Sequence, residues 1–468
     1  MRGRRLGAIV IPLALALLAI VAARDVARLG SALPWNQLYD FADFYCAGAA
    51  LDRGADPYRY EPLHRCEHAV NQSEAYRRDP ARAVPAPLPP YDFPPFMVAA
   101  RLNFSVARSI DAVAIGLAVL AAIWGLRLVA VPLDIAALAL ALPAGYVLLA
   151  AGQVVPFALV VLVFCGVALA RERDAVAGML AALTLIEPHL GLPVCAAVLV
   201  WLPRSRVGLL ATGVALACVA VATSGFGGIV EYLARVLPAQ ASAETSYVYQ
   251  YSLTYLLGEL GMPAKSALFL GDLSYVAMLG LGVWLSRRLA MLVGRRELLA
   301  YLPAACGIIG GPYVHMVDLP VALPAALVLA TSLRGRPKQI AAAALTLLAV
   351  PWIAVWITKK LFLATLVVVA AILLRLQAGA GVSLGTFFSI AAAIYLMELS
   401  PPPAFAATTA KYFAAGDLAQ DAWSAYVAQL GRGEPLWFVI KLPTWAALAG
   451  VLAASFDALR ACRGPTKT

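Results

Sequence analysis

Asp40 opens the run DFADFYCAGAALDRGADPY, which crowds acidic and aromatic side chains into the first long polar stretch of an otherwise apolar chain. Polar groups beside a membrane are costly, so a cluster of this kind marks a functional site. A carboxylate there can take a proton from an incoming hydroxyl, and Asp40 is the first candidate for such a base. Asp43, three residues on and on the same helical face, is the reserve: it would orient the acceptor or serve as base itself. The plainer reading of Asp40 is a helix N-cap, because Asp commonly starts helices and the residues after it read helical.

Other groups could hold an anion. His315 and Asp318 stand at i and i+3, a spacing that offers either a neutral imidazole donor to phosphate or an imidazolium supported by the carboxylate. The plain alternative is an interfacial pair that caps a broken helix. Gln153 sits at a tight Gly152-Gln153 turn, where an amide either meets a substrate or bonds backbone. His64, Arg65, His68, Arg77 and Arg78 form a basic stretch that reads as a face toward anionic headgroups, with Arg65 the one to test as a phosphate ligand. Tyr91, in Tyr91-Asp-Phe-Pro-Pro95, is a sugar platform or, more plainly, part of a proline-stiffened re-entry into the membrane. Tyr232, Tyr247, Tyr249, Tyr251 and Tyr255 suit carbohydrate or an interfacial belt, and the belt is the safer reading.

These groups need elements to position them, and composition says which. Of 468 residues, 62% are hydrophobic and 13% charged, a balance no single soluble core buries but a polytopic helical bundle uses throughout. The net charge of +10 lies in short clusters between apolar runs, so it reads as topology and lipid contact rather than nucleic-acid binding. Apolar stretches fall near 6–23, 106–124, 134–150, 154–170, 206–224, 266–286, 317–333, 339–357, 360–375, 380–398 and 436–456, with shorter pieces at 174–187, 189–203 and 297–310. They predict an all-α polytopic membrane protein of about 12 to 14 spans. The first reads as an uncleaved span with a cytoplasmic N-terminus.

Alternating the spans puts Arg127, Arg171, Arg173, Arg204, Arg206, Arg287, Arg288, Arg334, Arg336, Arg375, Arg460, Arg463 and Lys467 on one side, the cytoplasmic one. The polar motifs then all face outward. Lys359 and Lys360 go against the rule. Cys46 and Cys66 share the outer loop, where a disulfide and two unpaired thiols are both open readings; the cysteines within the spans read as small hydrophobes. No spacing suggests a metal site, and no phosphate-binding glycine loop or dinucleotide fingerprint is present, which favours a donor already in the membrane.

Four pieces in register resemble glycosyltransferase family 87, the membrane-embedded, polyprenyl-phosphate-dependent mannosyltransferases with the C-type glycosyltransferase fold. They are Asp40-Phe41, Ala47-Gly48, Gly54 and Asp56-Pro57-Tyr58; Tyr91-Asp-Phe-Pro-Pro95; Gly152-Gln153; and Pro312, His315 and Asp318, over roughly residues 35 to 330. One departure is Glu187-Pro188-His189 where the pattern expects Lys-Pro, leaving His189, Arg65 or Arg77 to supply the positive charge.

The resemblance implies one integral membrane domain over 1–468, with the catalytic motif in an extracytoplasmic loop at 24–105, a core module at 106–333 and a variable module at 334–468. It implies short interfacial helices, placement in a bacterial inner membrane and a site facing the periplasm or outside. The expected activity is inverting transfer of a hexose, mannose by the resemblance, from polyprenyl phosphate to a glycolipid or glycan. Asp40 would be the base and Asp43, Arg65, Tyr91, Gln153, His189, His315 and Asp318 substrate contacts. Neither cofactor nor metal is expected. The rival from another class is a secondary transporter or flippase of lipid-linked substrates; a third reading is a membrane scaffold.

Overall fold

Long runs of Ala, Leu and Val away from water satisfy their backbone groups internally only as helices. The computed structural model is accordingly all-helical over the residues it describes, 16–30, 33–70, 79–401, 409–431 and 435–461. Among these the only β pairings are two isolated bridges, Arg59 to Leu418 and Gln250 to His315. Five helical stretches are long and apolar enough to cross a membrane: Phe104–Leu128, Pro203–Ser246, Ala264–Val293, Ala380–Leu399 and Pro435–Ala461. This is consistent with a multi-pass membrane protein. They expose large apolar side chains such as Leu117, Val214, Phe269 and Phe388, whereas the Leu298–Gly310 and Leu323–Ser332 helices are buried almost along their whole length.

The count of spans comes out differently from the apolar runs. Six apolar helices have only 10 to 17 residues, which at 1.5 Å per residue falls short of a core about 30 Å thick. Their breaks are local. Pro143 precedes a widened turn over Ala144–Leu149, Pro188 starts a new helix after Glu187, and Gly225 at φ +69° kinks the helix from Arg206 to Glu231. The 339–357 run divides at Pro351 into Gly335–Leu348 and Trp352–Ile357. Of the first apolar run, 6–23, most lies outside the described residues, which are helical from 16.

Several basic residues are paired between segments: Arg375 with Asp134, Arg296 with Asp174 at 2.8 Å and Glu172 at 3.4 Å, and Arg336 with Asp457 at 3.8 Å. Lys359, which breaks the topology rule, has its own employment: its Nζ donates to the carbonyls of Glu398 at 2.7 Å and Ser400 at 2.8 Å, closing the C-terminus of the Ala380–Leu399 helix. Lys360 donates to the Arg28 carbonyl at 3.2 Å.

The Phe41–Asp52 helix is bonded to the Tyr60–Val70 helix through Cys46 and Cys66, whose Cα atoms are 5.6 Å apart, so the two thiols are paired. The Asp56-Pro57-Tyr58 piece is structural. Asp56 accepts from the Tyr58 amide at 2.9 Å and from Arg59 at 2.7 Å, Arg59 reaches Glu231, and the buried Tyr58 hydroxyl donates to the Leu88 carbonyl at 2.8 Å.

Candidate functional site

Asp40 occupies the N-cap position of the Phe41–Asp52 helix, but its side chain makes no capping bond. Its carboxylate accepts instead from the Gln153 amide. The turn that delivers Gln153 is built for this meeting. Gly152 adopts φ +70°, where a Cβ would lie 3.0 Å from that of Leu38 and 3.2 Å from that of Phe41, and Tyr39 and Asp40 donate their amides to Ala150 and Ala151 at 3.2 and 2.8 Å. The Gly152-Gln153 piece, far along the chain, thus closes on Asp40.

The half-buried Asp40 is pushed above the usual carboxylate range by burial, an effect that Gln153, His315 and Arg82 oppose and Glu244 reinforces. Those groups mark its electrostatic surroundings. His315 lies in the 311–318 loop, which residues 249–251 clamp: Tyr251 donates to the Val314 carbonyl at 2.7 Å, Met316 to that of Tyr249 at 3.2 Å, and Val314 to the Gln250 side chain at 2.8 Å. The His315 ring sits 3.3 Å from Glu244. Burial alone would lower its proton affinity, but Glu244, Asp318 and Asp40 together raise it.

His315 and Asp318 are therefore neighbours in a turn, not on one helical face. Asp318 accepts the backbone amide of His315 at 2.7 Å and contacts the other imidazole, His189, at 3.4 Å. His189 also has Glu187 at 3.6 Å, so the anion standing where a cation was expected is answered by its own neighbour. Burial pushes Glu187 up to about 7, with His189 drawing it down and Asp318 raising it.

The remaining candidates divide. Tyr91 donates its hydroxyl to the Leu185 carbonyl at 2.7 Å, tying the turn at 90–92 to the end of the 174–186 helical stretch beside Glu187. Asp43 is 2% exposed within its helix. Arg65 is not brought to this cluster: its side chain is 79% exposed and pairs with Glu61 one turn back. Arg77 and Arg78 lie outside the described residues. A cation that acts on Asp40 electrostatically is Arg82, which reaches the Tyr426 hydroxyl at 3.3 Å and lies over its ring at 4.5 Å.

The tyrosines of 232–255 do not form an interfacial belt. Tyr232, Tyr251 and Tyr255 are buried, and Tyr247 packs against His315 and Trp423 at ring distances of 5.8 and 5.2 Å. The Tyr232 hydroxyl donates to the Pro87 carbonyl at 3.3 Å, whereas the Tyr255 hydroxyl is buried without a hydrogen-bond partner. Sequence reasoning missed Arg82, Glu244 and Trp423. No local pattern marked them: residues 247–250 form a turn closed by the Gln250 amide on the Tyr247 carbonyl at 3.0 Å, and the turn meets the His315 loop only in the folded chain.

Asp92 is 9% exposed, has one carboxylate oxygen without a hydrogen-bond partner, and is pushed up to about 9 by burial and by Glu187. A carboxyl raised on folding contributes most below its unfolded value, about 4, and that contribution is lost as pH rises toward 9. Asp92→Asn removes this dependence, and its amide can donate toward Glu187. The expected result is stabilisation near neutral pH on the order of 1–3 kcal/mol, read as a higher thermal midpoint in detergent; an equal or lower midpoint speaks against a charge penalty there.

Among the described residues no group of three or more His, Cys, Asp and Glu is arranged to hold a metal ion. No family model matches the chain, and neither a curated protein nor a solved structure does.

Proposed function

We propose that the protein is an inverting glycosyltransferase of the inner membrane, with a C-type fold, that moves a hexose from polyprenyl phosphate to an extracytoplasmic glycolipid or glycan. The observation that carries this reading is Asp40, a carboxylate released from helix capping, steadied by the Gln153 amide and subject to the opposing charge of Arg82 and His315. Such a pairing separates the two demands of the reaction. Asp40 takes the acceptor hydroxyl proton as the acceptor oxygen bonds to the anomeric carbon. The bond from that carbon to the phosphate oxygen breaks with its electron pair, and Arg82 with His315 stabilises the departing polyprenyl phosphate. The resemblance in the Asp40 and Gly152-Gln153 pieces favours mannose as the sugar.

Lys441 favours a second reading. It is fully buried, with Nζ 3.3 Å from the Tyr255 ring centre and no hydrogen-bond partner, as a carrier of lipid-linked substrates could use. One assay separates the two. Purified protein in vesicles is given labelled polyprenyl-phosphate mannose and a lipid extract of the source cell. New labelled glycolipid is expected; movement of intact donor between leaflets without a product would transfer the reading to a flippase.

A further inference from the structure

Glu244 starts the short turn after the Leu237–Ala243 helix and is 3% exposed. A carboxylate so deeply buried is costly unless it is hydrogen bonded and paired. Glu244 has both. Its Oε1 accepts from Gln240 at 3.1 Å and from the Trp423 indole, and its Oε2 accepts from Gln250 at 3.2 Å while lying 3.3 Å from His315 Nε2. The three hydrogen-bond donors are neutral; the imidazole is the partner that can carry the balancing charge. Gln250 serves twice, since its Oε1 accepts the Val314 amide and so fixes the backbone next to His315.

Trp423 belongs to the Ala419–Leu430 helix, nearly two hundred residues further along the chain, and Arg82 lies over its ring at 5.5 Å. That helix, Arg82 and the Glu244 carboxylate therefore form one packed unit around the imidazole. We propose that Glu244, seated by Trp423, is a positioning residue that fixes the His315 imidazole beside it and favours its charged form.

The carboxylates around that ring weigh in the same direction. Glu244 comes from the segment before it, Asp318 from its own loop, Asp40 from the head of the Phe41–Asp52 helix and Glu187 from the break before Pro188; burial and His189 oppose them, and Arg82, over Trp423, is the second cation of the unit. Tyr313 and Tyr247 close the sides at ring distances of 4.9 and 5.8 Å. At 3.3 Å the Glu244 contact is a charge pairing without hydrogen-bond alignment, so its effect depends on the charge and not on the shape of the carboxyl.

The role of the imidazolium rests on the proposed transfer reaction, but its titration needs no turnover and is tested separately. The chain has four histidines, so ring-labelled histidine in the folded protein gives four titrations by NMR, with that of His315 assigned through His315→Asn. Wild-type His315 is expected to titrate above the ordinary histidine range. Glu244→Gln keeps the shape and the Trp423 acceptor but removes the charge, and should weaken proton affinity at His315 about tenfold, one pK unit. Glu244→Asp retains a retracted charge and should fall between. An unchanged His315 midpoint in Glu244→Gln, or in Glu244→Asp should the amide variant not fold, overturns the proposal.

Discussion

Asp40→Asn is expected to lower sugar transfer by about a hundred- to ten-thousand-fold, the span of a lost general base, while donor binding and the fold persist. The amide is isosteric, can still accept from Gln153, and leaves the backbone bonds from Tyr39 and Asp40 to Ala150 and Ala151 in place. The pH profile supplies the sign. Burial raises Asp40, so the base form is lost as pH falls through a value above the ordinary 3.9 or so. His315 is raised as well, and its cation is lost as pH rises above the ordinary 6.5 or so. The wild-type profile should be a bell, and the residual rate of Asp40→Asn should lack the acid limb. Wild-type turnover in this variant would remove Asp40 from the chemistry and turn attention to Asp43, one turn deeper in the same helix.

Gly48→Val should unfold the Phe41–Asp52 helix and its surroundings or displace them enough to abolish activity. A Cβ at Gly48 would lie 2.4 Å from both the carbonyl carbon and oxygen of Phe96 and 2.7 Å from the Met97 nitrogen, all backbone atoms. The two helices have little room to separate, because Phe44 and Phe96 pack at 5.3 Å between ring centres and the disulfide at Cys46 holds the opposite side. Overpacking of this kind costs about 1–3 kcal/mol for a small insertion, and a branched side chain against backbone exceeds that range. Gly116→Ala, in the Phe104–Leu128 helix with nothing within 4 Å of its Cβ, is the control and should be neutral or slightly stabilising. Thermal unfolding in detergent distinguishes them; equal midpoints for the two variants would mean that the Gly48 contact yields.

The Gly48 case shows what kind of information each level carries. The apolar runs announced helices, because runs of that length and composition leave the backbone no other way to bond itself away from water. Their breaks were also legible at Pro188, which starts a new helix, and at Gly310-Gly311-Pro312, where one ends, whereas the kink at Gly225 stands within a helical stretch that the sequence suggested would end there. The prominence of Asp40 and of Gly152-Gln153 could be read as separate pieces, since charged and left-handed-tolerant residues stand out in apolar surroundings. Their contact could not, for a hydrogen bond between residues 40 and 153 has no periodicity to betray it.

Arg65 and Glu244 mark the limit more sharply. Arg65 looked like the phosphate ligand by type and neighbourhood, yet its helix turns it outward to Glu61, while Arg82, which no motif singled out, is the arginine whose charge acts on Asp40. Glu244 lay among tyrosines that suggested a membrane belt, and its significance arises only when Gln250, Trp423 and His315 converge on it. The sequence alone determined the helical class, the apolar faces, the basic clusters and the residues able to do acid–base chemistry, because these follow from side-chain type and local spacing. The tertiary structure decided which carboxylate meets which imidazole, because burial and Coulomb interactions depend on distances of 3–4 Å between segments that the chain order keeps far apart.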